Sequence, residues 1–349
     1  MDTYTLLLLL CCCWCCINAA LPTERCPDGC VCVKRDVKCY ALTDFPTSFP
    51  PLTTYIFMDE MNIQTIPPDS FHGLEFLNMV EFQRSNFGSI PSCAFKTIQS
   101  LEKIKFFKCV IGHLDKFAIF NISSPLTIDI KKSKITKMDS FAVMSIPYMV
   151  SLNLQDTTIY EMKTMAFVNV TVADLLITGC DLKKIHHKPF MFTKLGTVEI
   201  IGNKFETLPC GTFENLLTAS SDVIPTFMAN GVQCDCGIGY LKQIADSEEK
   251  NILGSMYCVE EDKLNNNKTV SEALGGTLLC TQKSKIDFTK CRTEDPLPVP
   301  VLTCPSHSHG HGDYNPSGEK HDDRNAATVG RVIPFLLALS FIIMFKYHI

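Results

Sequence analysis

The chain has 349 residues, a formal net charge of -5, 20% charged side chains and 19 cysteines. That balance excludes a strongly basic nucleic-acid binder, and so many cysteines argue against a typical cytosolic protein. Catalytic signatures such as G-x-S-x-G, H-E-x-x-H, a phosphate-binding loop or a dinucleotide fingerprint do not occur, so no enzyme and no cofactor is expected.

In chain order, residues 6–17 (LLLLLCCCWCCI) form an apolar run that ends at Asn18-Ala19-Ala20, where a signal peptidase could cut. This predicts a signal peptide over residues 1–20. Five cysteines and Trp14, the sole tryptophan, leave with it. The remaining even number of cysteines, in an oxidising compartment, permits a disulfide framework. Residues 26–39 (CPDGCVCVKRDVKC) then place four cysteines as C-x3-C-x-C-x6-C, for which sequence alone allows three connectivities.

A repeat follows. Apolar anchors stand at Ile66, Ile90, Leu114, Met138, Met162, Ile185 and Leu208, in steps of 23 or 24 residues. Three residues before each anchor is another apolar side chain, from Ile63 to Phe205. Eight and ten residues before come pairs such as Ile56-x-Met58 and Val198-x-Ile200. Phenylalanine recurs five residues after the anchor (Phe71, Phe95, Phe167, Phe190, Phe213), and Phe117 and Phe141 read as the same residue moved two places earlier. Each unit thus offers one short strand and then a turn. No unit can bury its apolar side alone, so stacked units share a core. Ser85, Cys109, Ser133, Thr157, Cys180 and Asn203 occupy one slot after the strand, where a short polar side chain is expected to bridge to the adjacent unit; Met61 is the exception.

The pattern resembles the leucine-rich repeat, L-x-x-L-x-L-x-x-N/C-x-L, over residues 53–230. The ends resemble the cysteine-rich caps of extracellular leucine-rich-repeat proteins: residues 26–39 at one side and NGVQCDC (230–236) at the other. The layout is similar to arthropod proteins resembling the non-catalytic subunit of shrimp luciferase. The resemblance implies an α/β leucine-rich-repeat solenoid, a horseshoe with a parallel concave sheet, about 7–8 repeats and disulfide-bonded caps at both ends. It further implies the pairs Cys26–Cys32, Cys30–Cys39, Cys234–Cys258 and Cys236–Cys280. The expected boundaries are an N-terminal cap over 21–52, repeats over 53–230 and a C-terminal cap over 231–285.

Cys109 and Cys180 share the bridging slot three units apart, roughly 14 Å at strand spacing, too far for a disulfide; buried thiols are expected. Cys93 and Cys210 lie on the turn into the convex side, five units apart, cannot pair with each other, and stay unassigned. Cys291 and Cys304 flank the proline-rich DPLPVPVLT, where a local loop disulfide is expected.

Strand residues that alternate with the core should face out of the concave side. They include Lys103, Lys105 and Phe107, followed by Lys108, and then Lys131 and Lys132 with Asp129. Asp59 and Glu60 stand toward the N-terminal end; Leu176, Ile201 and Ile224 make the other end apolar. The graded face suits an extracellular protein or an acidic glycan. Glycosylation sequons occur at Asn121, Asn169 and Asn267, while Pro316 disqualifies Asn315. Asn121 and Asn169 fall seven residues after Leu114 and Met162, hence on one flank. His186-His187 read as an exposed pair in a turn, and His307, His309, His311 and His321 as part of a solvated spacer, with no metal site assigned.

Residues 286–324 have the composition of a stalk. Residues 332–345 (VIPFLLALSFIIMF) are apolar, but a helix of that length rises only ~21 Å against a hydrocarbon core of ~30 Å. With the small residues Asn325-Ala326-Ala327 upstream, residues 325–349 resemble a glycosylphosphatidylinositol (GPI) attachment signal with Asn325 as the site; a short transmembrane helix is the alternative. The chain therefore reads as a cell-surface binding protein of adhesion or co-receptor type. It would be held at the membrane by the lipid anchor and would need a transmembrane partner to signal. A soluble non-catalytic subunit of a secreted complex is the alternative.

Overall fold

In a computed structural model, residues 25–219, 225–234, 236–241, 251–259 and 268–277 are described. The leader, Ile224, Asn267, Cys280 with its expected Cys236 pair, Cys291, Cys304, the histidine-bearing spacer, Asn325 and the apolar tail lie outside the described residues. No helix among the described residues is long and apolar enough to cross a membrane.

The repeat becomes a coil of strands in two parallel sheets. A first sheet stacks Asp36–Tyr40, Tyr55–Asp59, Met79–Gln83, Lys103–Phe107, Leu126–Lys131, Val143–Gln155, Phe167–Thr178, Lys194–Ile201 and Thr226–Met228 in parallel, in chain order. Cys30–Val33 closes its edge as an antiparallel hairpin on Asp36–Tyr40. From Tyr55–Asp59 to Leu126–Lys131 the register steps by one unit, with Ile56, Val80, Ile104 and Ile128 as successive partners; further on it shifts locally at Leu126/Thr127 and at Ile146/Met149. A second parallel sheet runs from Asn62–Thr65 through Asn86–Ile90, Val110–Leu114, Lys134–Met138, Thr158–Met162 and Asp181–Ile185 to Lys204–Phe205, Asn230–Val232 and Met256–Cys258. The core lies between the two, filled by one apolar rung per unit; Ile104, Phe106, Ile111 and Leu114 are all buried.

Corners explain the irregular apolar spacing. After each first-sheet strand one residue is left-handed, as in Glu60, Arg84, Lys108, Lys132 and Asp156, and then Gly179 and Gly202. Such a backbone is strained for L-residues other than glycine. Here each corner N–H donates to the carbonyl of the next unit (Arg84 to Phe107 2.9 Å, Lys108 to Lys131 2.9 Å), and the stack repays the strain collectively.

The bridging slot forms a ladder through the interior. Cys109 N–H donates to Ser133 Oγ (3.0 Å), Ser133 N–H to Thr157 Oγ1 (3.4 Å) and Cys180 N–H to Asn203 Oδ1 (2.8 Å). Each side chain also donates back to a strand carbonyl: Thr157 to Ile130 (3.2 Å), Asn203 Nδ2 to Ile177 (2.7 Å). Met61 has no polar group but its N–H is received by Ser85 Oγ (3.1 Å). The ladder extends one rung past the expected slots. Asn230 accepts from Asn203 N–H (3.0 Å) and donates to Ile200 (2.7 Å), and it lies 27 residues on because the last unit carries an inserted helix, Glu214–Ala219.

The return side of each coil carries strands and few helices, because alternating β-branched stretches such as Phe167–Val172 (FVNVTV) extend straight into the first sheet. Two expectations need correction. Phe117 and Phe141 are not displaced copies of the recurring phenylalanine: Ile119 and Val143 fill that slot, in register with Phe95 and Phe167, while Phe117 and Phe141 are left-handed and belong to a second, separate apolar cluster. His186 and His187 are half-buried and not an exposed pair, because His186 Nε2 lies 2.9 Å from Glu161. Cys26–Cys32, Cys30–Cys39 and Cys234–Cys258 pair as the resemblance implied. Cys109 and Cys180 are buried free thiols, whereas Cys93 and Cys210, unassigned from sequence, are each disulfide-bonded.

Candidate functional site

The first-sheet face presents three columns of outward side chains, and its N-terminal half carries most of the chemistry. The middle column runs Phe57, Glu81, Lys105, Asp129, Asn153, Leu176 and Glu199; the third runs Asp59, Gln83, Phe107, Lys131, Gln155, Thr178 and Ile201.

Glu81 is the hub. Although it points out of the sheet it is buried, receiving Lys105 Nζ at 2.7 Å, Gln83 Nε2 at 2.6 Å and Tyr55 Oη at 3.0 Å. Burial alone would raise its pKa, but those three donors hold the carboxylate below its ordinary range. The Tyr55 phenol is pushed up, first by burial and then by its bond to Glu81. Lys105 and Lys108 both stand over the Phe107 ring, at 5.9 and 5.3 Å from its centroid. Lys131 pairs with buried Asp129 at 3.3 Å, and Arg84 bridges Asp59 and Glu60.

Of the six residues singled out from sequence, Lys103, Lys105, Phe107 and Lys131 lie on first-sheet strands and Lys108 and Lys132 at the corners that follow them, and the five lysines divide into two kinds. Lys105 and Lys131 neutralise acids of the sheet itself. Lys103, Lys108 and Lys132 have no ion-pair partner among the described residues, and the last two are exposed. Sequence reasoning missed Glu81, Gln83 and Arg84, and also the aromatic patch of Tyr40, Tyr55 and Phe57, whose rings lie 6.0 and 6.3 Å from Phe57. The same alternation that exposed Lys103 and Lys105 places Met79-x-Glu81 one strand earlier and Tyr55-x-Phe57 two strands earlier, so the signal was present. Leu176 and Ile201 are half-exposed on the C-terminal half, ending at exposed Met228. Asp59 is buried and Glu60 exposed.

Asn121 and Asn169 are exposed on a flank, away from this face. They belong to one column, in which Asn121 Nδ2 donates to Thr97 (3.4 Å) and Asn169 Nδ2 to Ser145 (3.5 Å). No group of three or more His, Cys, Asp or Glu able to hold a metal ion occurs among the described residues.

Fold, polar ladder and paired cysteines define a leucine-rich-repeat-like protein: a parallel solenoid of stacked two-strand coils with disulfides at the N-terminal hairpin and at Cys234–Cys258. No family model matches the chain. It is 35% identical over 66 residues to the leucine-rich repeat-containing G-protein coupled receptor 6 of Danio rerio, a match covering 17% of this chain and only 7% of that receptor. Among solved structures it is similar to human 5T4 (Wnt-activated inhibitory factor 1, trophoblast glycoprotein), with 16% identity, TM-score 0.38, and coverage of 71% of this chain and 97% of that one. A chain of the octameric complex of Latrophilin 3, Unc5D and FLRT2 gives 14% identity, TM-score 0.33, and coverage of 73% and 99%.

Proposed function

We propose that this is an extracellular recognition protein that binds a protein ligand through the N-terminal half of its first-sheet face, performs no chemistry, and is displayed at the cell surface on a GPI anchor added at Asn325. The observation that carries the reading is the composition of that face. Tyr40, Tyr55, Phe57 and Phe107 are interspersed with internally compensated charges, and Lys103, Lys108 and Lys132 stand on or just after the Lys103–Phe107 and Leu126–Lys131 strands to one side. Rigid aromatics beside cations are what protein contact surfaces use as anchors, and uncompensated lysines at the rim supply steering. Sugars at Asn121 and Asn169 would leave this face open, since both lie on the flank.

The test uses the secreted ectodomain, multimerised and applied to intact cells, followed by proximity labelling to name the partner. Lys103→Glu/Lys108→Glu/Lys132→Glu should weaken binding at least tenfold, with the loss falling mostly on the association rate. The same number of reversals on the second sheet should leave it unchanged. Unaltered affinity in the first triple variant would dismiss the face; competition by soluble heparin with equal loss in both variants would point to a glycan. Release of the protein from cells by phosphatidylinositol-specific phospholipase C supports the anchor. Recovery from medium with residues 325–349 intact would instead favour the soluble non-catalytic subunit of a secreted complex.

A further inference from the structure

The first sheet ends at the hairpin strand Cys30–Val33, which pairs with Asp36–Tyr40 on one side and with no strand among the described residues on the other. Open strand edges template further pairing, and chains usually blunt them with lysine, proline or a bulge. This one reads CVCV, with none of these inside it. Cys30 and Cys32 pack against the core and are pinned by Cys26–Cys32 and Cys30–Cys39. Val31 and Val33 point to the opposite side and are 56% and 55% exposed, among the most exposed large apolar side chains described.

A cross-strand distance tells which backbone groups meet the open edge. Cys30 and Cys39 are partners with Cα atoms 4.1 Å apart, the short separation of a pair that exchanges no hydrogen bonds. The backbone groups of Cys30, and by alternation those of Cys32, therefore point away from Asp36–Tyr40. Cys30 N–H is taken up by Pro27 O at 3.0 Å. Cys30 O, Cys32 N–H and Cys32 O have no partner among the described residues. Charge is split along the same edge. Asp28 stands just before the strand and Lys34 just after it, both exposed and neither in an ion pair among the described residues.

We infer that this edge is a homodimer interface, in which a second copy pairs its own Cys30–Val33 antiparallel across a two-fold axis at Val31. In that register Cys30 of each copy lies opposite Cys32 of the other, and Cys32 N–H donates to the second copy's Cys30 O, once in each direction. Asp28 of each copy falls opposite Lys34 of the other. An edge that runs from negative to positive complements itself when two copies meet antiparallel, which is why the occupant is another copy of this chain. A shift of two residues would keep hydrogen bonding but lose both ion pairs, so charge selects the register. Val31 meets its symmetry mate at the axis, and Val33 stands opposite Gly29, which has no side chain to oppose it. The first sheet then continues from one copy into the next. Val31 lies in the column of Lys38 and Phe57, so the two candidate faces join, with Tyr40 and Phe57 of both copies flanking the seam. Such pairing makes recognition bivalent whatever the face binds.

Sedimentation velocity of the full mature chain over a concentration series should show a reversible monomer–dimer equilibrium; a monomer at every concentration would overturn the inference. Val31→Lys sets two like charges face to face at the axis and should weaken the dimer about tenfold. Asp28→Lys and Lys34→Asp should each do the same alone. Mixed in equal amounts, those two chains should form a heterodimer of wild-type strength, because every opposed pair again has unlike sign. No loss in the single variants, or no rescue in the mixture, overturns the edge as the interface. All three side chains are exposed, and aspartate tolerates the left-handed conformation of Lys34 (φ 57), so folding is retained. Mapping of the Cys26–Cys32 and Cys30–Cys39 bonds verifies that in each variant. Lys103→Glu/Lys108→Glu/Lys132→Glu should leave dimerisation intact, which separates this inference from ligand recognition; loss of the dimer there would move the interface to the lysines and overturn the edge.

Discussion

Asn203 shows what a single side chain does in this fold. It is buried, it receives the Cys180 N–H, and its amide nitrogen donates both to Ile177 O and to Asn230 Oδ1 (3.0 Å). Replacing it by leucine leaves at least two buried backbone groups unpaired, at about 1–3 kcal/mol each. Chemical denaturation of Asn203→Leu should therefore show a loss of about 3–5 kcal/mol, whereas Ser133→Cys should cost under ~1 kcal/mol because Cys109 in the preceding unit and Cys180 two units on already use cysteine in that slot. The same slot determines thiol reactivity. Burial pushes Cys109 and Cys180 up to about 11, and each Sγ is occupied with a strand carbonyl, Phe82 O at 3.4 Å and Leu154 O at 3.3 Å. Native protein at pH 8 should leave both unmodified by iodoacetamide, and denaturant should make both reactive.

At the level of the strand, the second sheet carries its own charge network, centred on Glu161. Its carboxylate meets Lys163 (2.8 Å), His186 (2.9 Å) and Lys184 (3.4 Å), and hydrogen bonds from Lys163 and then His186 pull its pKa down to about 2. A carboxylate depressed in the folded state contributes stability above its unfolded pKa and loses that contribution as pH falls toward the folded value. The stability difference between wild type and Glu161→Gln should accordingly be full above about pH 5 and shrink toward zero near pH 2. A difference that stays constant over that range would show that the network contributes nothing. Strands also show which parts of the fold could be read in advance. The polar slot was legible because Ser, Cys, Thr and Asn differ in kind from the apolar residues around them. Phe117 and Phe141 were misplaced because composition hides direction: a positive φ reverses where a phenylalanine points, and no residue type announces it outside glycine. Glu81 was overlooked for a related reason. Its role as hub depends on a tyrosine 26 residues before it and a lysine 24 after it, neighbours only once register is set.

Taken whole, the molecule is a stack in which each coil contacts chiefly the next, and both the core rungs and the polar ladder advance by one coil at a time. Removing residues 110–133 would join Cys109 to Lys134, which is the in-register partner of Val110. That deletion should yield a shorter protein that is secreted, keeps a strand-rich circular dichroism spectrum and unfolds cooperatively. Removing only 110–121 should not, since it would put core residues of one coil opposite solvent positions of the next.

That contrast follows from the ladder described above, in which rungs such as Thr157, Asn203 and Asn230 give one hydrogen bond backward to a strand carbonyl and take one from the preceding rung's N–H. Such a chain of donors and acceptors has no privileged length. Size is thereby quantised: viable length variants should differ by whole windings of 23 or 24 residues, and the breadth of the first-sheet face should change in the same discrete increments.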